Sequence, residues 1–273
     1  MSIIKKEIET YYQRGKELNR LSAGSGELER VRTQQILARH LPPPPAIVLD
    51  VGGAAGVHAF PLAEAGYTVH LIDPVDLHLE QARERSAKSS AALASIATGD
   101  ARRLAFGDRS VDAVLLLGPL YHLVERSDRD LALKEACRVL KPGGCIAAAA
   151  ISRFASLVDG LLQGHFGNPE FRRIVSSDLA TGRHENPGGL PGYFTTAYFH
   201  RPEELSDEVR EAGFDDVRIL AVEGIAWSAT HFAEAWNDPV QRSKLMEFLS
   251  MLETEPSLLG ASAHLIAVAR RAD

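Results

Sequence analysis

Apolar positions along the chain change rhythm several times, and each change marks a boundary. Before residue 42 they recur at helical spacing, as Ile4, Ile8, Tyr11 and Tyr12, then as Leu28, Val31, Ile36 and Leu37. This predicts helices over 3–21 and 26–41 with a break at 22–26. Four prolines at 42–45 cannot extend a helix and form a stiff spacer. From Ala46 onward, short apolar runs alternate with amphipathic stretches. Strands are predicted at 47–51, 67–72, 95–99, 111–117 and 145–151, and helices near 57–65, 76–88 and 128–140. The last helix opens on Ser127 with an acid three residues on, and Lys141-Pro142-Gly143-Gly144 stops it. Such alternation implies a parallel sheet with helices on both faces.

After Ile151 the rhythm breaks. Residues 153–201 are rich in Gly, aromatics, Arg and His, centred on Asn186-Pro187-Gly188-Gly189-Leu190-Pro191-Gly192. With partial helices at 154–163 and 169–180, this stretch reads as a lid rather than a linker. A helix from Pro202 to Ala212, a strand at 216–223, helical sequence over 228–254 and a strand from His264 to Arg270 follow. The predicted organisation is therefore an N-terminal helical cap (1–41), a core (46–152), a lid insertion (153–201) and a C-terminal part of the core (202–273). That last part carries a helical insertion near 226–260.

Composition narrows the function classes. The chain has 273 residues, 45% of them hydrophobic and 24% charged, with a formal net charge of -6. This is ordinary for a globular protein and argues against nucleic acid or an anionic membrane as partner. No apolar run approaches a membrane span. The first seven residues lack the apolar segment of a secretory signal, and Cys137 and Cys145 form neither a disulfide framework nor a metal cluster. His58, His165 and His184 have no metal-ligand spacing. A cytoplasmic protein without a metal is expected.

The chemistry starts at Ile47-Val48-Leu49-Asp50-Val51-Gly52-Gly53-Ala54-Ala55-Gly56. A buried strand running into small residues lets backbone N–H groups approach a ligand. Asp73, about 20 residues on at the tip of the next strand, is placed to accept from ribose hydroxyls. Against G-x-G-x-x-G only Gly52 fits; against G-x-G-x-G, Gly52 and Gly56 fit and Ala54 adds one methyl, tolerable where φ is negative.

Three further segments discriminate. Gly99-Asp100-Ala101-x-x-Leu104-x-Phe106-x-Asp108-x-Ser110-Val111-Asp112, then Arg138-Val139-Leu140-Lys141-Pro142-Gly143-Gly144, and Glu211-Ala212-Gly213-Phe214 with its following strands resemble class I S-adenosylmethionine (SAM)-dependent methyltransferases. The nearest subfamilies are small-molecule methyltransferases related to those of quinone biosynthesis. The resemblance covers roughly 46–152 and the C-terminal third. It implies a Rossmann-like, seven-stranded α/β sheet, mostly parallel with an antiparallel last strand. It also implies SAM as cofactor and methyl transfer to a small organic acceptor through an O, N or C nucleophile. A non-catalytic SAM-binding module and a methyltransferase acting on tRNA or protein are the alternatives.

Residue by residue, the resemblance assigns Asp50 to the methionine amino group, Gly52, Ala54 and Gly56 to the loop, and Asp73 to ribose. Asp100 goes to the adenine amino group, with Pro74, Ala101 and Leu117 beside the cofactor. Tyr11 and Arg32, on helices that would fold over the site, are candidates for the methionine carboxylate. Competing readings make Tyr11 and Tyr12 hydrophobic anchors and Arg32 a surface partner of Glu29. Gly118-Pro119-Leu120-Tyr121-His122-Leu123 follows the fourth strand, where open α/β folds place ligands, so His122 and Tyr121 are the catalytic candidates. Tyr12, Tyr193, Phe194, Tyr198 and His200 are the acceptor-binding candidates, as apolar walls with polar tips.

Overall fold

The computed structural model describes residues 4–13, 15, 17–186 and 193–272; the Gly/Pro centre of the insertion, 187–192, lies outside them. Three helices open the chain: α1 (Lys6–Gln13), α2 (Glu17–Arg20) and α3 (Gly24–His40). The alternating part runs β1 (Ile47–Val51), α4 (Ala59–Glu64), β2 (Thr68–Asp73), α5 (Asp76–Lys88), β3 (Ser95–Thr98), β4 (Val111–Leu116), α6 (Pro119–His122), α7 (Arg126–Val139) and β5 (Leu140–Ser152). The insertion holds α8 (Ala155–Leu162), α9 (Pro169–Thr181), β6 (Arg183–His184) and β7 (Ala197–His200). Then come α10 (Pro202–Glu211), β8 (Phe214–Ala221), α11 (Phe232–Asn237), α12 (Pro239–Leu252) and β9 (His264–Arg271).

The main sheet runs β3-β2-β1-β4-β5, continued by β9 and β8, with β9 antiparallel to both neighbours. These are the seven expected strands. The described residues add two more, the β6–β7 pair. Its strand β7 lies parallel to the end of β5, where Ile151 pairs with both Phe199 and His264. Because β4 pairs with β5 only as far as Ala148, β7 takes the vacated edge and ties the insertion to the sheet.

Strand alternation divides the core into two layers. Leu49, Val51, Val114, Leu116, Ile146 and Ala148 face α7 and α10 through Ala132, Leu133, Ala136, Leu205 and Val209. Val48, Ala113, Leu115 and Ala147 face α3, α4 and α5 through Ile36, Leu37, Phe60, Leu79 and Ala82. The N-terminal segment thus splits: α3 is a layer of the core, whereas α1 and α2 lie over the sheet's carboxyl edge. No helix among the described residues is long and apolar enough to cross a membrane.

Candidate functional site

Two adjoining cavities open at the carboxyl edge. The first, of about 410 Å³, is walled by the ends of β1, β2 and β4 and by the loops that follow them. At Gly52 φ is +70°, and a Cβ there would sit 2.9 Å from the Pro119 ring. A Cβ on Gly53 would lie 2.6 Å from Asp50 Oδ2, so the missing side chain lets this carboxylate fold beneath the loop. Gly52 N–H donates to Ile72 O at 2.7 Å, pinning the loop to β2. Ala54 stands at φ +48° rather than the negative φ expected. Its left-handed backbone, which costs a residue with a Cβ about 1 to 2 kcal/mol, aims its N–H at Asp73 Oδ2, 2.9 Å away.

Asp73 is the hub of this wall. Its Oδ1 also accepts from Val75 N at 2.8 Å and from His78 Nδ1 at 3.1 Å. Asp50 is 1% exposed and its Oδ2 has no partner among the described residues. Burial, aided by repulsion from Asp73, pushes its carboxyl up to about 7. Asp100 ends the wall on the β3 side and accepts from three donors of Arg102, its backbone N, Nε and Nη2.

The second cavity, of about 510 Å³, is walled by α8, α9, the β6–β7 pair and residues 193–194. Tyr11, Tyr121, Phe171, Tyr193, Phe194, Phe199 and Trp227 are among its lining residues. Tyr12, Arg20 and Tyr121 belong to the walls of both cavities, so the two meet there. Tyr12 Oη lies 2.6 Å from His122 Nε2. The Tyr12 ring stands edge-on to both His122 and His78, and His122 stacks on Phe194. Burial pulls His122 down to about 4 against the opposing pull of the Thr196 backbone and Asp73. The ring is therefore neutral at physiological pH, and in the tautomer protonated on Nδ1 the phenol donates and Nε2 accepts.

At the same junction Arg20 forks onto Glu29 at 2.5 and 3.0 Å. Glu29 lies 3.7 Å from His264, which bonds Glu223 at 2.6 Å. Burial lowers His264, but Glu29 and Glu223 outweigh it and hold the imidazole at about 9.

Residues 48–144 match the family model described as a methyltransferase domain. The malonyl-[acyl-carrier protein] O-methyltransferase of Methylococcus capsulatus is 36% identical over 72% of this chain, which spans only 63% of that protein. The ubiquinone/menaquinone biosynthesis C-methyltransferase UbiE of Bradyrhizobium diazoefficiens is 30% identical over 73% of this chain and 79% of its own length. This chain belongs to the class I SAM-dependent methyltransferases. A SAM-dependent methyltransferase from Methanosarcina mazei shares the fold, with a TM-score of 0.57 at 16% identity, over 87% of this chain and 97% of that one.

The methyltransferase's cofactor is SAM, and the first cavity suits it. A buried carboxylate oxygen without a partner matches a cationic amino group, and a loop whose backbone a Cβ would displace matches close approach. Asp50, Gly52, Ala54, Asp73, Pro74, Asp100, Ala101 and Leu117 all line this cavity.

Five expectations are corrected. Arg32 is fully buried and lines neither cavity, with Nη2 on Glu253 at 2.5 Å and Nε on Val222 O at 3.1 Å. It staples α3 to the end of α12 and does not pair with Glu29 either. Gly56 does not line the cavity; its Cβ would strike the Phe60 ring at 2.6 Å, so it serves the packing of α4. Tyr11 belongs to the second cavity and not the first. Tyr198 and His200 lie outside both. Along β7 the period of two sends Ala197 and Phe199 to one side and these two to the other. There Arg129 stacks on Tyr198 at 3.7 Å, and His200 meets Glu208 at 3.2 Å.

The reading of single motifs missed His78 and Arg20. His78 carried a signal: it lies four residues before the buried Ala82 on α5, on the helix face that meets the sheet. Arg20 carried none, since its place depends on α2 packing across the chain.

Proposed function

We propose that this methyltransferase transfers the methyl group of SAM to a small aromatic acceptor enclosed in the second cavity. The observation that carries the reading is the shared wall of Tyr12, Tyr121 and Arg20, the one place among the described residues where the two cavities meet. In the first cavity, Asp50 pairs with the methionine amino group, Asp73 accepts from ribose and Asp100 from adenine. Arg20, rather than Arg32, lines this cavity and is assigned to the methionine carboxylate. Pro74, Ala101 and Leu117 supply apolar wall. In the second, Tyr11, Tyr193 and Phe194 supply aromatic wall for the acceptor ring.

The sulfonium supplies an already activated methyl group, so the protein's task is alignment and exclusion of water. An acceptor O–H or N–H must also lose a proton. His122 lines only the cofactor cavity, whereas Tyr12 lines both and is bonded to His122. We therefore assign a relay: the Tyr12 hydroxyl takes the acceptor's proton as its own passes to His122 Nε2. Tyr121, edge-on to His122 with the ring centres 4.7 Å apart, holds that ring in place.

A cavity of about 510 Å³ lined by aromatic rings favours a small acceptor over tRNA or protein, as does the net charge of -6. Two free thiols suit a reducing cytoplasm. The test is methylation of aromatic, indole-like and quinone-like acceptors with mass detection, together with calorimetry for SAM and NAD. Binding of NAD but not SAM, or SAM binding with transfer only to macromolecules, would replace the reading.

A further inference from the structure

The wall of the acceptor cavity is rich in nitrogen bases, yet nearly every one has a carboxylate of its own. Arg20 is bonded to Glu29, His264 to Glu223, and His184 Nδ1 to Asp178 at 2.9 Å. Asp159, on α8, breaks this pattern. It is the only acid on the cavity wall among the described residues, and no ion pair reaches it there. Gln163 hydrogen-bonds it and the charge of His165 acts on it, yet burial raises its carboxyl against both. A half-buried carboxylate with no cation bonded to it is costly unless a ligand compensates it.

Position separates Asp159 from the chemistry. Ala155, at the start of α8, packs in one apolar cluster with Tyr121, Phe194 and Phe199. Asp159 lies four residues further along the same helix, about 6 Å along its axis. It therefore sits a helical turn beyond that cluster, toward His165, whose charge acts on it. The rings of Phe171 and Tyr193 flank His165 at 5.9 and 5.6 Å, so this end offers aromatic faces beside one negative charge. Aromatic faces and a carboxylate together favour an organic cation over a neutral or anionic group.

We propose that Asp159 recognises a protonated amine on the acceptor, held at the end of the molecule remote from the atom that receives the methyl group. The acceptor class is thus an aromatic ring system bearing an ammonium side chain. This rests on assigning the second cavity to the acceptor.

The probes are tryptamine, 3-ethylindole and indole-3-propionate, close in shape and carrying a positive, neutral and negative tail. Each is titrated by calorimetry into full-length protein saturated with S-adenosylhomocysteine. Tryptamine is expected to bind about tenfold or more tighter than 3-ethylindole, the ratio of one charge-assisted hydrogen bond, with indole-3-propionate weakest. Asp159→Asn should bring tryptamine and 3-ethylindole to within about twofold by removing that one charge. Equal binding of the three by the wild type, a preference for the acid, or no binding of any overturns the proposal without help from the variant. A preference for tryptamine that survives Asp159→Asn overturns the residue assignment. Absence of S-adenosylhomocysteine binding to the wild type would instead fail the underlying cofactor reading, and the prior titration reports that separately.

Discussion

The two cavities share a wall but are built from different material. The cofactor side is made largely of backbone: strand ends, a glycine loop pinned to β2, and carboxylates fixed by main-chain N–H groups. The acceptor side is made of side chains, above all the rings of Tyr11, Tyr121, Phe171, Tyr193, Phe194 and Phe199, set against the small residues of α8. A site built on strand ends is held by the whole sheet, whereas one built on inserted helices is held by their own packing. Gly160 illustrates the latter, since a Cβ there would lie 1.9 Å from the Phe171 ring and would part α8 from α9. The first kind of wall recognises one fixed ligand; the second can be re-lined without disturbing the fold.

The sharpest way to break this comparison is Asp73→Ala. It removes three fixed protein contacts and the acceptor for ribose, so SAM affinity should fall by roughly 10² or more. Phe194→Ala should instead leave SAM affinity nearly unchanged and weaken the acceptor. Calorimetry on both variants decides, and similar losses for both would erase the distinction between the cavities.

Next come Tyr12→Phe and His122→Ala. Each should lower turnover by about 10² to 10⁴, and the double variant should be no slower than the slower single, because the pair acts as one relay. Protonated His122 cannot accept a proton, so the wild-type rate is lost as pH falls through about 4 and not near the ordinary histidine value. An additive double variant, or a rate already falling well above that pH, would separate the two residues.

A smaller effect concerns Asp50, whose carboxyl titrates at about 7. Only the carboxylate pairs with a cation, so SAM affinity should rise with pH through that value, by at most about tenfold per unit on the acid side. Asp50→Asn should flatten this dependence, and a slope that persists in the variant assigns it elsewhere. The smallest effect is expected from Tyr198→Phe, outside both cavities. It should leave turnover intact and cost about 0.5 to 1.5 kcal/mol in urea unfolding for its bond to Glu204.

How far the molecule could be read from its sequence follows the same division. Strand β1 and helix α5 occupy the expected residues, because apolar runs and turn residues are local signals and the sheet is built from them. The place of Asp73 at the tip of β2 was readable for the same reason. Tyr198 and His200 were not, since composition identifies an aromatic segment but only strand register says which residues face the cavity. Arg32 was legible in part: Leu28, Arg32 and Ile36 share one stripe of α3, so burial was foreshadowed. Its partner was not, because Glu253 lies 221 residues away.

That separation has a consequence during synthesis. At ordinary elongation rates, roughly 10 to 40 s pass between the making of residue 32 and that of residue 253. Throughout that interval α3 exposes a guanidinium within its apolar stripe, and β5 has no β9 along its outer edge. The nascent chain must carry both until Glu253 and His264–Arg271 have left the ribosome. Cofactor supplied early therefore meets an unfinished vessel, and excess SAM should not hasten maturation of the growing polypeptide.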